Sequence, residues 1–236
     1  MMKKTAIVTG GAGGIGQVLC TGLLADGWQV AAFDRDEAAL AALPEPVQRV
    51  ACDVGDEASV KAGMAALGWD GLDLLVNNAG LAGPHLGPVE DLSLEAWRAM
   101  LDSHLTGAFL MTRACVPLLR PREGAIVNMA STRAMMSEPD SEAYAAAKGG
   151  LVAMGHALAI SLGPEIRVNT IAPGWIVTSG AEELSHEDHA QHPVGRAGRP
   201  EDVLEAVRYL AQPDGFVTGQ VVTVDGGMTR KMIYAE

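Results

Sequence analysis

Tyr144 and Lys148 are the residues of this sequence best placed for acid–base chemistry. They open an alanine- and glycine-rich run that is typical of a helix, so their side chains are expected on one face, one turn apart. An ammonium group at that distance stabilises a phenolate and lowers the tyrosine pKa from its ordinary value of about 10. Bringing that pKa close to neutrality requires a partly buried site and a second positive charge. A tyrosine with such a pKa can exchange a proton with a substrate oxygen near pH 7.

Ser131, on the preceding segment, is a candidate hydrogen-bond donor to the same oxygen. The alternative interpretation of Tyr144 and Lys148 is an interfacial tyrosine followed by a solvated lysine. Because few tyrosines and lysines occur in this chain, the spacing favours the chemical interpretation.

A glycine turn precedes the first long helical pattern. Gly10, Gly14 and Gly16 lie between an apolar run at 4–9 and an amphipathic run at 17–27. Glycines there let the backbone approach a pyrophosphate, which would lie at the N-terminus of the helix. The alternative is a plain tight turn.

Asp34 ends the next apolar run. A carboxylate at this place can accept hydrogen bonds from the ribose diol of an adenosine and would repel a 2′-phosphate. Alternatively, Asp34 or Asp36 caps the following helix. Arg35 could accommodate a 2′-phosphate, but the carboxylate favours NAD over NADP.

Apolar strands and helical patterns alternate along the whole chain, which predicts an α/β domain with a parallel sheet covered by helices on both faces. The predicted strands are 4–9, 28–34, 47–53, 72–80, 124–131, 166–174 and 220–227. No linker or repeat interrupts the alternation, so residues 1–236 are predicted to form one domain. The polar stretch 178–192 follows a strand and is predicted to cover the site.

Composition restricts the possible partners. The net charge of −12 gives no basic field for a nucleic acid or an anionic membrane surface. The three cysteines lie in apolar surroundings and are expected to be reduced, and no apolar run reaches the length of a membrane span. These features predict a cytoplasmic protein that binds neither nucleic acid nor membrane.

The ordered motifs resemble those of the short-chain dehydrogenase/reductase family, from end to end. They are TGGAGGIG at 9–16, Asp53-Val54, NNAG at 77–80, Ser131, Tyr144-x-x-x-Lys148, PGWIVT at 173–178, GRPEDV at 198–203 and TGQVVTVDGG at 218–227. The resemblance implies a Rossmann-type doubly wound sheet of seven parallel strands in the order 3-2-1-4-5-6-7, and a nicotinamide cofactor.

The resemblance also assigns roles. Tyr144 would be the acid/base, Ser131 would hold the substrate oxygen, and Lys148 would bind the nicotinamide ribose. Thr178 and the backbone of Ile176 would hold the carboxamide. The complete implied cofactor-binding set is Gly10, Gly14, Ile15, Gly16, Asp34, Asp53, Val54, Asn77, Ala79, Gly80, Tyr144, Lys148, Pro173, Gly174, Ile176 and Thr178.

Some of these implied roles are more specific. Asn77 and Gly80 would line the adenosine-side ribose, and Asp53 and Val54 the adenine. Gly13 stands where NADP-dependent members often carry a basic residue, which agrees with Asp34 in pointing to NAD.

His104 departs from the family pattern, which has an asparagine that anchors a proton-relay water. A histidine with a pKa of about 6.5 could carry a proton in that relay, and His104 is therefore a further catalytic candidate. The alternative is a structural helix histidine. The relay hypothesis predicts that His104→Asn keeps most of the turnover but shifts its pH profile.

Arg133, Glu138 and Trp175 flank the catalytic positions and are candidate substrate contacts; each could equally be rim packing or a surface ion pair. No metal site is predicted, since the spacing of His186, His189 and His192 spreads around a helix and fits a solvated loop better. The short cover at 178–192 suggests a small substrate.

The sequence therefore predicts an NAD(H)-dependent oxidoreductase that interconverts a secondary alcohol and a ketone on a small polar substrate. The alternatives are an NADPH-dependent 3-oxoacyl thioester reductase and a catalytically silent dinucleotide-binding scaffold. The long apolar helices 93–119 and 142–163 predict a homodimer or homotetramer, because the resembled family builds its subunit interface from them.

Overall fold

The fold is built on a central parallel sheet, which the computed structural model describes for residues 3–179 and 184–232. Its strands are β1 (Thr5–Thr9), β2 (Gln29–Asp34), β3 (Gln48–Ala51), β4 (Leu74–Asn77), β5 (Ala125–Met129), β6 (Arg167–Pro173) and β7 (Val221–Val224). All neighbouring pairs are parallel, in the order β3-β2-β1-β4-β5-β6-β7. The predicted sheet is confirmed.

Helices cover both faces of this sheet. They are α1 (Gly14–Ala25), α2 (Glu37–Ala41), α3 (Glu57–Leu67), α4 (Leu94–Leu101), α5 (Gly107–Leu119), α6 (Glu142–Leu162), α7 (His186–Ala190) and α8 (Pro200–Leu210). Short 3-10 turns lie at Arg120–Arg122, Thr132–Ala134 and Met228–Arg230.

The pleat of the central strands divides the core into two layers. In β1, Ala6 and Val8 pack with α1 and α8 on one face, whereas Ile7 packs with α3, α5 and α6 on the other. Successive side chains of a strand point to opposite faces, so a strand buried on both sides is apolar at every position. This explains the continuous apolar runs in the sequence.

The predicted helix 93–119 differs from the observed structure. A π-helical turn, Asp102–Thr106, separates α4 from α5. The three segments form one continuous helical stretch, because the backbone at both junctions is right-handed helical. Such turns are rare and occur often at functional sites. This one carries His104.

Helix α6 has the length and mean hydropathy that a membrane span needs, although the sequence predicted no such segment. Within its most apolar window 33% of the residues are buried. The helix packs along β6 and carries the buried Lys148. A helix that packs against a sheet can pass the same test of length and composition, so the test alone places no helix in a membrane.

Candidate active site

Cavities lie at the carboxyl ends of the strands, the place where open α/β sheets bind ligands, and two of them hold most of the candidate residues. The first cavity has a volume of about 440 Å³ and lies over β1, β2 and β4; the second, of about 550 Å³, lies beyond β5 and β6. Ser131 lines the second cavity.

Ser131, Tyr144 and Lys148 come together near the end of β5. Ser131 caps the 3-10 turn that follows this strand, and its Oγ accepts a hydrogen bond from the Arg133 amide at 3.2 Å. Tyr144 and Lys148 lie in the first two turns of α6, with Lys148 Nζ 5.4 Å from the centroid of the tyrosine ring. Nζ donates a hydrogen bond to the Met129 carbonyl at 2.8 Å, which ties α6 to β5.

Burial controls the charge states of Tyr144 and Lys148. Burial raises the pKa of Tyr144, while the nearby Ser131 hydroxyl and Arg133 guanidinium act in the opposite direction. Burial also lowers the pKa of Lys148 to about 7. The sequence predicted that a lowered tyrosine pKa needs a second positive charge besides Lys148, and in the protein alone the pKa is raised. A lysine that is 4% exposed loses much of its own preference for the charged form.

His104 packs against Tyr144 from the π-helical turn. The two rings are edge to face, with centroids 5.3 Å apart, and His104 Nε2 lies 3.2 Å from the Leu81 carbonyl oxygen. Since a carbonyl only accepts, Nε2 carries the hydrogen and Nδ1 is left without a partner among the described residues. Burial and the neighbouring Lys148 lower the pKa of His104 to about 3. The expectation that His104 titrates near pH 6.5 and carries a proton is corrected accordingly.

The glycine turn wraps tightly at the base of the first cavity. A methyl group on Gly16 would lie 1.9 Å from the Gly10 carbonyl oxygen, and one on Gly10 would lie 2.8 Å from Ala79 Cα. Asn78 holds the turn, because its Nδ2 donates to the carbonyls of Thr9 and Gly10 at 3.0 and 3.1 Å. Contacts within the protein alone therefore require glycine at positions 10 and 16 of the turn.

Asp34 projects into the first cavity with a fixed orientation. Its Oδ2 accepts a hydrogen bond from the Ala12 amide and its Oδ1 one from the Asp36 amide, both at 3.1 Å. The helix-capping role belongs instead to Asp36, whose carboxylate accepts from the Ala39 amide at 2.9 Å. Arg35 also lines the cavity.

Most residues of the implied cofactor set lie at these cavities. Those lining the first cavity are Gly10, Gly14, Ile15, Asp34, Asp53, Val54, Ala79, Gly80 and Thr178. Gly174 and Ile176 line the second cavity, Pro173 is buried at the end of β6, and Gly16 lies beneath the turn.

Tyr144 and Lys148 line neither cavity, and neither does the side chain of Asn77. It is 4% exposed, and its Nδ2 donates to Asn128 Oδ1 at 2.9 Å and to Thr112 Oγ1 at 3.1 Å. The alternation of a strand explains the error: Asn77 still belongs to β4 and points to the α5 face, whereas Asn78 follows the strand and faces the cavity.

The structure also adds residues that the sequence did not single out. Phe33, Asn78, Leu81 and Ser103 line the first cavity, and His85, Met136, Gln191 and Met228 line the second. Asn78 had a sequence signal as the second asparagine of NNAG, and Gln191 lies in the predicted cover 178–192; the others are brought together by the fold.

Arg133, Glu138 and Trp175 all line the second cavity, together with Ser131. The Arg133 guanidinium lies 6.0 Å from the centroid of the Tyr144 ring. It also makes an ion pair with Glu138, a contact made through Nη2. The structure therefore groups the three candidate substrate contacts around the cavity that Ser131 lines.

The predicted cover at 178–192 is partly helical. Residues 180–183 lie outside the described part of the chain, and α7 follows, started by a capping box of Ser185 and Asp188. The sequence predicted that His186, His189 and His192 lie in a solvated loop. That prediction is wrong for His192, which is 2% exposed. Within residues 3–179 and 184–232, no group of three histidine, cysteine or acidic side chains could hold a metal ion.

Comparison with known proteins places this arrangement in a family. Residues 10–229 match the family model described as enoyl-(acyl carrier protein) reductase. The chain is 40% identical to an uncharacterised oxidoreductase of Thermotoga maritima, over 99% of this chain and 98% of the relative. It is 39% identical to an inactive 2-(S)-hydroxypropyl-CoM dehydrogenase of Xanthobacter autotrophicus, over 86% and 96%. A 3-oxoacyl-[acyl-carrier-protein] reductase of Synechocystis is 34% identical, over 97% and 98%.

Solved structures show the same fold. An apo SCOR enzyme from Clostridium thermocellum superposes with a TM-score of 0.91 at 39% identity, covering 99% of this chain and 96% of that one. ElxO with NADP bound superposes with a TM-score of 0.87 at 26% identity, covering 98% and 100%. The chain therefore belongs to the short-chain dehydrogenase/reductase family, whose members bind a nicotinamide dinucleotide and oxidise or reduce alcohol and ketone substrates.

Proposed function

We propose that the protein is an NAD(H)-dependent oxidoreductase that interconverts a secondary alcohol and a ketone on a small polar substrate. The observation that carries this proposal is the convergence of Ser131, Tyr144 and Lys148 at the end of β5, beside the second cavity.

The first cavity suits a dinucleotide. Helix α1 begins at its edge, and the N-cap residue Gly13 provides no side-chain hydrogen bond to the first amides. A methyl group on Gly13 would meet no atom within 4 Å, so the approach to these amides is open. An open helix N-terminus attracts phosphate groups. Gly10, Gly14 and Ile15 would hold the pyrophosphate, Thr178 would hold the carboxamide, and Asp53 and Val54 would line the adenine.

The bound cofactor would supply hydride chemistry, and the chain would handle the proton. In alcohol oxidation, the phenolate of Tyr144 accepts the hydroxyl proton as the hydride leaves the carbinol carbon; in ketone reduction the phenol returns it. Ser131 Oγ lies at the second cavity and donates a hydrogen bond to the substrate oxygen. Lys148, held by the Met129 carbonyl, stabilises the phenolate whenever its amine is protonated.

Asp34 supports NAD rather than NADP as the cofactor. Two backbone amides fix its carboxylate in the cavity, where it would accept hydrogen bonds from a ribose diol and oppose a 2′-phosphate. Arg35, which lines the same cavity, would instead favour NADP. A solved structure with the same fold, ElxO, has NADP bound. We favour NAD because the carboxylate is positioned by the fold.

Two other functions have specific support. The similarity to a 3-oxoacyl-[acyl-carrier-protein] reductase favours reduction of a carrier-bound thioester. The net charge of −12 opposes it, because acyl carriers are themselves acidic partners. The similarity to an inactive dehydrogenase favours a silent scaffold, but the grouped serine, tyrosine and lysine support activity.

We also propose the larger-scale properties predicted from the sequence: a single domain, a cover segment at about 178–192 and a homodimer or homotetramer. Large apolar side chains are exposed on the interface helices, among them Phe109 at 45% and Ile160 at 85%. The three cysteines are free and buried, which supports a reducing, cytoplasmic compartment.

The test is turnover of secondary alcohols and ketones, followed by absorbance at 340 nm with NAD and with NADP. We expect wild-type activity with NAD on small polar substrates and a loss of at least about a thousandfold in kcat for Tyr144→Phe. A fluorescence titration of the cofactor serves as the control and should show that the variant is folded and still binds the cofactor. Turnover that survives the substitution would refute the mechanism.

A further inference from the structure

The second cavity carries a cation close to the residues that act on the substrate oxygen. Arg133 follows Ser131 by two residues, and its amide donates to Ser131 Oγ at 3.2 Å. Its guanidinium carbon lies 6.0 Å from the centroid of the Tyr144 ring. The 3-10 turn Thr132–Ala134 therefore fixes the base of this arginine beside the group that would hold the substrate oxygen.

The guanidinium has hydrogen-bonding capacity to spare. Among the described residues its one side-chain hydrogen bond runs from Nη2 to Glu138 Oε2, which leaves Nε and Nη1 for a ligand. The Glu138 side chain is 53% exposed and is shared with His85, whose Nε2 lies 3.2 Å from the same oxygen. An exposed pair of this kind is held weakly, because water competes for both charges.

The contact with Glu138 also indicates which kind of anion the Arg133 guanidinium can bind. Its carboxylate already contacts the guanidinium at the edge of the second cavity, so the space admits a planar group with two oxygens. Arginine binds such groups through paired hydrogen bonds that a point charge cannot match. A chain with a net charge of −12 repels anions in general, so an anionic ligand needs a local cation of this kind.

We propose that the substrate carries a carboxylate a few bonds from its hydroxyl or keto group, and that Arg133 binds this carboxylate in place of Glu138. The substrate class is then the small hydroxycarboxylates and the corresponding oxo acids. A cavity of about 550 Å³ suits a ligand of that size. The inference rests on the proposed function, since Ser131 and Tyr144 must hold the oxygen at the other end of the molecule.

The experiment compares carboxylates with their neutral amides of the same shape. The pairs are 3-hydroxybutanoate with 3-hydroxybutanamide, and 4-hydroxycyclohexanecarboxylate with its carboxamide. The readout is the ratio of kcat/KM for the acid to kcat/KM for the amide, measured on the full chain with its cofactor. Because both values come from one preparation, a loss of folded enzyme cancels in the ratio.

We expect a wild-type ratio of at least tenfold in favour of the acid, and a fall of at least tenfold in Arg133→Gln with partial recovery in Arg133→Lys. Glu138→Gln removes the competing carboxylate and should raise the ratio. The matched control is Arg120→Gln. Arg120 pairs with Glu165 at 3.1 Å at the amino ends of β5 and β6, the opposite end of the strands from the second cavity, so this variant should leave the ratio unchanged.

Two results would overturn the inference while sparing the proposed function: a wild-type enzyme that turns over neutral alcohols without preferring acids, or an Arg133→Gln variant that slows both substrates equally. The second would show that Arg133 only supports the structure around Tyr144. If neither acids nor neutral alcohols are turned over with either cofactor, the proposed function fails as well.

Discussion

At the scale of single residues, burial decides which groups of the site are charged. It raises the pKa of Tyr144 and lowers those of Lys148 and His104 to about 7 and about 3. The protein alone thus keeps the phenol protonated. Arg133 already opposes this rise, so a phenolate requires further positive charge, which an oxidised nicotinamide ring would provide.

A first prediction concerns His104→Asn and the dependence of stability on pH. The folded-state pKa of about 3 lies below the ordinary 6.5, so the unfolded chain binds the extra proton as the pH falls through this range. His104 therefore costs stability progressively below pH 6.5 and nothing above it. Asparagine does not titrate, so the Tm of the variant should fall less steeply between pH 6.5 and about 4.

Turnover gives the second readout for this variant. Because His104 stays neutral near pH 7, the substitution should leave the midpoints of the pH–rate profile near neutrality unchanged. This replaces the shifted profile expected from the sequence. Equal acid-side slopes of Tm for the two proteins would show that the buried histidine titrates normally.

A second prediction concerns Asp34→Ala and cofactor choice. Loss of the carboxylate removes both the ribose contact and the repulsion of a 2′-phosphate. The ratio of kcat/KM with NAD to that with NADP should fall by at least about tenfold, since a hydrogen bond to a charged group contributes about 1.5–3 kcal/mol.

The matched control for cofactor choice is Asp36→Ala. Asp36 caps α2, and removing that cap should cost about 1 kcal/mol of stability. The preference for NAD should not change in this variant. An unaltered preference in Asp34→Ala would instead assign cofactor choice to other residues.

At the scale of elements, the sequence predicted the secondary structure correctly wherever the hydrophobic period of a segment agrees with its place in the alternation of strands and helices. Strands buried on both faces are continuous apolar runs, so the seven strands and the glycine turn were predictable from the residues, whereas the strand order came from the resemblance to the family. Features that depend on tertiary packing could not be predicted from the sequence. The π-helical turn at Asp102–Thr106 has no pattern of its own, and the orientation of Asn77 depends on where β4 ends.

The predicted cover at 178–192 shows the same limit of prediction from the sequence. Low hydrophobicity at 178–192 suggested a solvated loop, yet His192 is buried against residues distant in the chain, including Gly226. Its ring also lies 6.2 Å from that of Trp175. The pKa of the tyrosine was equally beyond the sequence, because the burial of Lys148 follows from how α6 packs on the sheet.

A third prediction tests the turn that joins β1 to α1. A methyl group on Gly16 would overlap the Gly10 carbonyl, which is backbone and cannot move aside. Gly16→Ala should lower the free energy of unfolding by about 1–3 kcal/mol. It should also weaken cofactor binding at least about tenfold by opening the turn. Chemical denaturation and a fluorescence titration measure the two effects.

Gly149→Ala is the control for the turn. Gly149 lies inside α6, and a methyl group there meets no atom within 4 Å. Alanine favours a helix over glycine, so this variant should be as stable as the wild type or more so. A Gly16→Ala protein with unchanged stability and affinity would mean that the turn is looser than described.

At the scale of the whole molecule, apolar surface lies outside both cavities. Ile160 is 85% exposed on α6, and Tyr209 and Phe216 are 54% and 104% exposed near α8 and β7. Exposed patches of large apolar side chains mark interaction surfaces. Of these, Ile160 supports assembly through α6, whereas Tyr209 and Phe216 lie outside the two predicted interface helices.

A fourth prediction follows for Ile160→Glu. A charge buried in an apolar interface is costly, so the variant should sediment as a smaller species than the wild type at micromolar concentration. Ile160→Leu keeps the apolar contact and should sediment like the wild type. A wild-type monomer, or an Ile160→Glu protein of unchanged mass, would exclude an interface at this face.

The most direct test of the acid–base account is titration of the Tyr144 phenol itself. The chain has three tyrosines, so NMR of the labelled rings, assigned with Tyr144→Phe, resolves each one. We expect a pKa above the ordinary value in the cofactor-free protein and a marked fall with oxidised NAD, but a smaller change with the reduced form. A phenol that stays protonated at high pH in the oxidised complex would contradict the account.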